Sequence, residues 1–415
     1  MSKEVVIVGG GIIGLCAAYY LQKEGHKVLI VDQSNSDTGA SFVNAGYISP
    51  SHLTPLSAPG VMKKGLKWMF NQSSPFYIKP RLDVDLLKWV WAFNKSCNPA
   101  HVAKSIPVIK DISLLSQELF ETIRKNENFN WHYEKKGLLM LCQTDKMLEE
   151  EIKNVKIAKS EGLNARQLSR DELKKLEPNV TLNVSGATYF ECDAHSTPQE
   201  FMAEMKRYLQ LHDVQFFTNE AVKDLKFQNG KIHSIVTDKQ VLNADEFVLA
   251  AGSWTHLICK KAGFSLLLQA GKGYCINSEN PFGISIPAIL AETKVAITPM
   301  NGFTRFAGTM EIAGINEAIN TVRVDAIAHA VKRYYPEIEL SREEKEKATC
   351  GLRPLSFDGL PYIGKSKACK NLTVATGHAM MGWTMGTATG KLVSEIISDK
   401  KTSLNLDPFS VERFN

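Results

Sequence analysis

The run Val5-Val6-Ile7-Val8 stops at Gly9-Gly10-Gly11-Ile12-Ile13-Gly14, and few local patterns constrain a fold more tightly. An apolar, β-branched run ends in a G-x-G-x-x-G turn. Residues 15–24 then read as a helix and 27–31 as a second strand, with Asp32 at its tip. Each part has a physical role in holding an adenine dinucleotide. Gly9 permits the tight turn, Gly11 lets the backbone approach a pyrophosphate, and Gly14 lets the helix pack closely on the strand. The helix N-terminus presents free N–H groups and the positive end of the peptide dipoles to the phosphates. Asp32, with Gln33 beside it, is placed to accept hydrogen bonds from a ribose. The motif predicts a Rossmann-type start and leaves FAD and NAD both open.

At 415 residues the chain is too long for one simple core, and two domains are expected. A formal charge of +5 without a dense Lys/Arg block gives nucleic-acid binding no support. Eight cysteines are scattered, with no C-x-x-C and no Cys/His spacing of a zinc site, so no metal is expected. Reduced thiols in a cytoplasmic compartment follow as the expectation. The chain opens directly on a strand, so no secretory signal is expected, and no apolar run approaches the roughly 18 residues that span a bilayer.

Composition and patterning divide the chain into a discontinuous dinucleotide-binding domain, 1–50, 145–265 and 345–415, and a second domain, 51–144 and 266–344. The expected class is α/β: a Rossmann-type, glutathione-reductase-like domain joined to one built on a mixed or antiparallel sheet. Helical periodicity covers about 100–126, 137–142 reads as a strand, and 145–180 reads as helices. Strands are expected at 186–190, 214–217, 221–228, 232–237 and 247–251. The last runs into Ala250-Ala251-Gly252-Ser253-Trp254, where small residues suit close approach of a cofactor.

Further motifs complete the picture: Ala40-Ser41-Phe42-Val43-Asn44-Ala45-Gly46, Ser49-Pro50-Ser51-His52, Gly351-Leu352-Arg353-Pro354 with Asp358-Gly359, and Thr376-Gly377-His378 with Gly382-Trp383-Thr384-Met385. In this order they resemble the FAD-dependent amine oxidoreductases of the D-amino-acid oxidase/glycine oxidase superfamily, most of all the bacterial D-amino-acid dehydrogenase branch of small-subunit type. The resemblance covers nearly the whole chain. It implies an extended FAD contacted from both chain ends: by Gly9, Gly11, Ile12, Ile13, Gly14, Asp32 and Gln33, by Ser41, Asn44, Ala45, Gly46, Tyr47 and Ile48, by Val222, Ala251, Gly252 and Trp254, and by Arg353, His378, Gly382, Trp383 and Thr384. The 382–386 turn precedes a helix, so its N–H groups can stabilise negative charge on a reduced flavin.

The implied chemistry is oxidation of a D-amino acid, with D-proline or hydroxyproline types included, by hydride transfer to flavin N5. Electrons would pass to a quinone or another acceptor. An O₂-using glycine or sarcosine oxidase and a non-catalytic FAD-binding subunit are the alternatives. Holding an α-carboxylate calls for a planar guanidinium. The resemblance gives that role to Arg353, against a structural ion pair with Asp358, while Arg305 is a second candidate. Tyr274 either lines the substrate pocket or fills the core. His52 is a candidate at the pocket border, and His378 reads as a packed or flavin-contacting residue before a base. Asp193 and His195 read as turn and cap residues. Related sarcosine-type enzymes attach FAD to a cysteine near the position of Cys350, whereas the dehydrogenase pattern implies a noncovalent flavin. The departure around 189–198 from the usual acidic Gly-Asp pattern leaves the substrate class open. The aromatic, lysine-bearing stretch 62–70 has two readings, a peripheral membrane-surface segment or a packed helix or lid. Oligomeric state is not legible.

Overall fold

A computed structural model of the chain describes residues 1–62 and 74–414. All but the first residue of the aromatic stretch 62–70 therefore lies outside the described residues.

The apolar N-terminal run becomes the interior strand of a six-stranded sheet. Its order is Gln215–Phe217, Lys27–Val31, Glu4–Val8, Glu246–Leu249, Leu372–Thr376, Tyr362–Lys365. Every pairing is parallel except the last. Val5 to Val8 are all buried, as a parallel strand covered on both faces requires. Successive strands are added on opposite sides of Glu4–Val8, so a crevice opens beyond its C-terminal end. Helix Ile12–Lys23 leaves that end and packs against helix Gly386–Ile397. Contact is close enough that a Cβ on Gly390 would stand 2.4 Å from the Cys16 carbonyl carbon. A three-stranded meander, Val222–Gln228, Lys231–Thr237 and Val241–Asn243, precedes the Glu246–Leu249 strand.

The second sheet has nine strands. Thr349–Ser356, Leu268–Ser278, Phe303–Ile312, Val295–Met300, Ala288–Leu290, Leu138–Cys142, Gly186–Phe190 and Ala165–Leu168 follow in order, and Phe76–Ile78 adds beside Phe303–Ile312. It is mixed: Ala288–Leu290 runs parallel to Leu138–Cys142 and Phe76–Ile78 parallel to Phe303–Ile312. The fold is thus α/β with a Rossmann-type sheet beside a mixed one. The two meet at Thr349–Ser356, where Leu355 bridges His378 and the Ala379 N–H donates to the Pro354 carbonyl at 2.8 Å.

The helical expectation for 145–180 needs correction. Helix Asp145–Ser160 ends, Gly162 adopts a φ of +81°, and Ala165–Leu168 returns as a strand on Gly186–Phe190 before helix Arg170–Leu176. We propose drawing the domain limits by sheet membership, which keeps 138–144 with the mixed sheet and moves 145–190 and 349–356 to its side.

Candidate functional site

The glycine turn has the geometry its spacing demands. Gly9 sits at φ +112°, and a Cβ there would stand 2.5 Å from the Ala250 carbonyl oxygen. A Cβ on Gly14 would stand 1.9 Å from the Gly9 carbonyl oxygen, so only glycine lets the helix start this close to the strand. Asp32 ties the turn down. One carboxylate oxygen accepts the Gly10 N–H at 2.6 Å, and the other accepts the Ser34 N–H and hydroxyl at 2.7 Å each. The Ile12 N–H donates to Ser41 Oγ at 3.0 Å. The N–H groups of Gly11 and Ile13 have no protein acceptor among the described residues, which leaves two donors of the first helical turn for an anion.

The turn forms one wall of a cleft of about 450 Å³. Of the expected cofactor residues, Gly9, Gly11, Ile12, Ile13, Asp32, Gln33, Ser41, Asn44, Val222, Ala251, Gly252, Trp254, Arg353, His378, Gly382 and Trp383 line it. Gly14, Ala45, Gly46, Tyr47, Ile48 and Thr384 lie behind the wall. The Ala45 carbonyl accepts the Thr298 hydroxyl, and the Tyr47 hydroxyl reaches the Ala288 and Ile297 carbonyls. Ile48 is core, Thr384 Oγ1 donates to the Tyr47 carbonyl, and a Cβ on Gly46 would strike the Ser196 carbonyl. Helix Gly386–Ile397 starts only at Gly386, and the N–H groups of Gly382, Trp383 and Thr384 have no protein acceptor among the described residues. Unengaged donors at both glycine turns fit the pyrophosphate and ring oxygens of a flavin dinucleotide.

Arg353 enters the cleft from Thr349–Ser356. It lies across the adjacent strand where Gly273 has no side chain: a Cβ there would stand 2.0 Å from Nη1. Nη1 donates to the Thr309 carbonyl at 3.1 Å. Thr309 has φ +60°, at a break in register between Leu268–Ser278 and Phe303–Ile312. This bulge turns a carbonyl toward the guanidinium. No carboxylate pairs with Arg353 among the described residues. Asp358 is held instead by Arg413, through Nε at 2.7 Å and Nη2 at 2.8 Å. Burial pushes the Arg353 guanidinium down to about 10, which leaves it charged at neutral pH. The cleft therefore contains a charged, planar fork with unused donors.

The other candidates separate. Tyr274 lines the cleft, but its hydroxyl donates to Glu311 Oε2 at 2.6 Å, and burial raises its pKa. Arg305 is wholly buried and structural, donating to Asn277 and to the Phe42 and Asn44 carbonyls, so it holds the 40–44 turn onto the sheet. His378 lines the cleft, bonded to Thr389 Oγ1 at 2.9 Å, and burial lowers it to about 3, which makes it a weak base. His52 does not line the cleft, because Ser51 turns the chain by bonding Asp193, and burial lowers His52 to about 4. Cys350 is also outside it, its thiol directed to the Glu317 carbonyl and its pKa raised by burial. His195 is no cap: the fold sets it beside His132 and Glu134. Gly273 and Thr309 escaped the sequence reading. An isolated glycine inside a strand pattern was the available signal for the first.

The family model described as DAO, FAD dependent oxidoreductase, matches residues 4–396. A D-amino acid dehydrogenase of Helicobacter pylori is 32% identical over 409 residues, 98% of each chain. One of Vibrio vulnificus (strain CMCP6) is 33% identical over 408 residues, 96% of this chain and 97% of that one. Glycine oxidase from Geobacillus kaustophilus superposes with a TM-score of 0.79 at 21% identity, covering 100% of this chain and 99% of its own. L-proline dehydrogenase from P. horikoshii gives 0.75 at 18% identity, covering 100% and 98%. At these identities the structural likeness shows the fold alone. Motif, cleft and full-length match agree that the chain belongs to the DAO family of FAD-dependent oxidoreductases.

Proposed function

We propose that this protein is an FAD-dependent dehydrogenase that oxidises D-amino acids, D-proline types among them, to imino acids and passes the electrons to a quinone or another acceptor. The observation that carries the reading is Arg353, a guanidinium without a carboxylate partner among the described residues, in the same cleft as the dinucleotide fingerprint. Relatives named D-amino acid dehydrogenase over nearly the full length support the substrate class.

The residues that would hold the flavin are the 9–13 turn, Asp32, Ser41, Ala251–Trp254 and the 382–383 turn. When bound, FAD supplies the acceptor for the hydride leaving Cα. Arg353 takes both carboxylate oxygens of the substrate and fixes the direction of its Cα–H. Hydride loss needs a neutral amine, whose lone pair forms the C=N bond. His378, bonded to Thr389 and made a weak base by burial, is assigned no part in removing the amine proton. The imine of a primary amino acid then hydrolyses in water to a keto acid and ammonia, whereas the cyclic imine of a proline-type substrate keeps its nitrogen on the carbon skeleton.

No helix among the described residues is long and apolar enough to cross a membrane. A cytoplasmic protein, peripheral on the inner membrane face when it delivers electrons to quinone, is the location we propose. Anaerobic addition of D- and L-amino acids, hydroxyproline isomers, glycine and sarcosine to the holoenzyme tests the reading. Bleaching of the flavin by D-amino acids, with slow recolouring in air, is the expected result. Bleaching by glycine or sarcosine with fast recolouring and peroxide would mark an oxidase. No bleaching would remove the catalytic reading.

A further inference from the structure

Away from the cleft, a small sheet brings three possible ligands to one place. Tyr133–Glu134 pairs antiparallel with Ala194–Ser196, with Glu134 opposite His195. His132 directly precedes the first strand. Glu134 Oε2 lies 3.5 Å from His195 Nε2 and 3.7 Å from His132 Nε2, and the ligand atoms of all three residues lie within 4.8 Å of one another. Ligands held about 2.0 Å from a tetrahedral ion stand about 3.3 Å apart, so two of the three separations are already close.

His195 is the independent sign. Its ring is completely buried, and neither nitrogen has a hydrogen-bond partner among the described residues. The Glu134 carboxylate and the Pro299 carbonyl come near, both short of hydrogen-bond geometry. An imidazole buried without partners is costly. His132 is oriented from behind: Nδ1 meets Thr197 Oγ1 at 3.1 Å, and its backbone N–H donates to Glu200 at 2.6 Å, leaving Nε2 directed at the cluster. The competing cation is Lys136, 2.9 Å from the same Glu134 oxygen on a half-exposed side chain free to swing into water.

We propose that His132, Glu134 and His195 bind one divalent transition-metal ion, Zn²⁺ first, with a water completing four-coordination. Two imidazoles and a carboxylate are a ligand set such borderline ions favour. The site has a structural consequence for the cleft. Ser196, next to His195, donates to the Gly46 carbonyl and accepts the Trp383 indole N–H, both at 3.0 Å, so the ion staples the strand that backs two cofactor-facing turns.

The test uses FAD-loaded protein dialysed against EDTA and titrated with Zn²⁺ alone, in competition with a chromophoric chelator. One equivalent is expected to bind wild type. His132→Gln and Glu134→Gln remove partly exposed ligands and should weaken binding at least about tenfold, since outer-shell substitutions alone cost that much. An unaltered flavin spectrum and metal-free Tm confirm that these variants are folded, and His195→Asn supplies a third, buried variant. Uptake of no ion by wild type, or equal uptake by the folded variants, would overturn the proposal.

Discussion

Arg353 is positioned by what its neighbours lack. Gly273 leaves room for the guanidinium, the Thr309 carbonyl takes one donor, and Asp358 is occupied by Arg413. Gly273→Ala should therefore displace the fork, raising KM for amino acids about 10–100-fold with FAD still bound, since hydrogen bonds to charged groups are worth about 1.5–3 kcal/mol. Steady-state kinetics beside the flavin absorbance check both parts. Tyr274→Phe discriminates wall from ligand. Losing the bond to buried Glu311 should cost about 1–2 kcal/mol of stability while KM moves less than about threefold, read by Tm and kinetics together. Arg353 was legible because its motif is local. The Tyr274 hydroxyl was not, because its partner arrives from a strand 37 residues onward.

Among the elements, the paired helices Ile12–Lys23 and Gly386–Ile397 join the two chain ends through glycine contacts. Gly390→Ala puts a methyl 2.4 Å from the Cys16 carbonyl carbon, and backbone cannot swing aside as a flexible side chain would. Destabilisation of about 1–3 kcal/mol and faster FAD loss are expected, measured by thermal unfolding and flavin release. Parallel-sheet strands such as Glu4–Val8 and Glu246–Leu249 were readable as buried apolar runs bounded by glycine. Ala165–Leu168 was not: it has four residues, two of them Arg166 and Gln167, and its strand character comes from pairing with Gly186–Phe190. Likewise, His132 and Glu134 lie some sixty residues before His195, and no spacing rule connects them.

Across the whole molecule, two sheets share one cleft, and buried histidines set its response to acid. Burial lowers His378 to about 3 and His52 to about 4, both below the ordinary 6.5 of an unfolded chain. The unfolded state thus binds protons first as pH falls. Their contribution to stability is full above about 6.5 and is lost progressively toward 3–4, by on the order of 1 kcal/mol per histidine at about pH 5.5. Tm of the holoenzyme should fall below pH 6.5, and His378→Gln should flatten part of that fall; a Tm profile parallel to wild type would exclude His378 as a contributor. The Rossmann half was foreseeable from its fingerprint, whereas the nine-stranded sheet, assembled from strands spread over residues 76–356, was foreseeable only as a mixed sheet of unknown order. The most direct measurement is anaerobic flavin reduction by a D-amino acid at increasing concentration, in wild type and in Arg353→Ala. Wild type should saturate, while the variant should keep its FAD and need at least about 100-fold more substrate for half-maximal reduction. An unchanged half-saturation in the flavin-loaded variant would contradict carboxylate capture by Arg353.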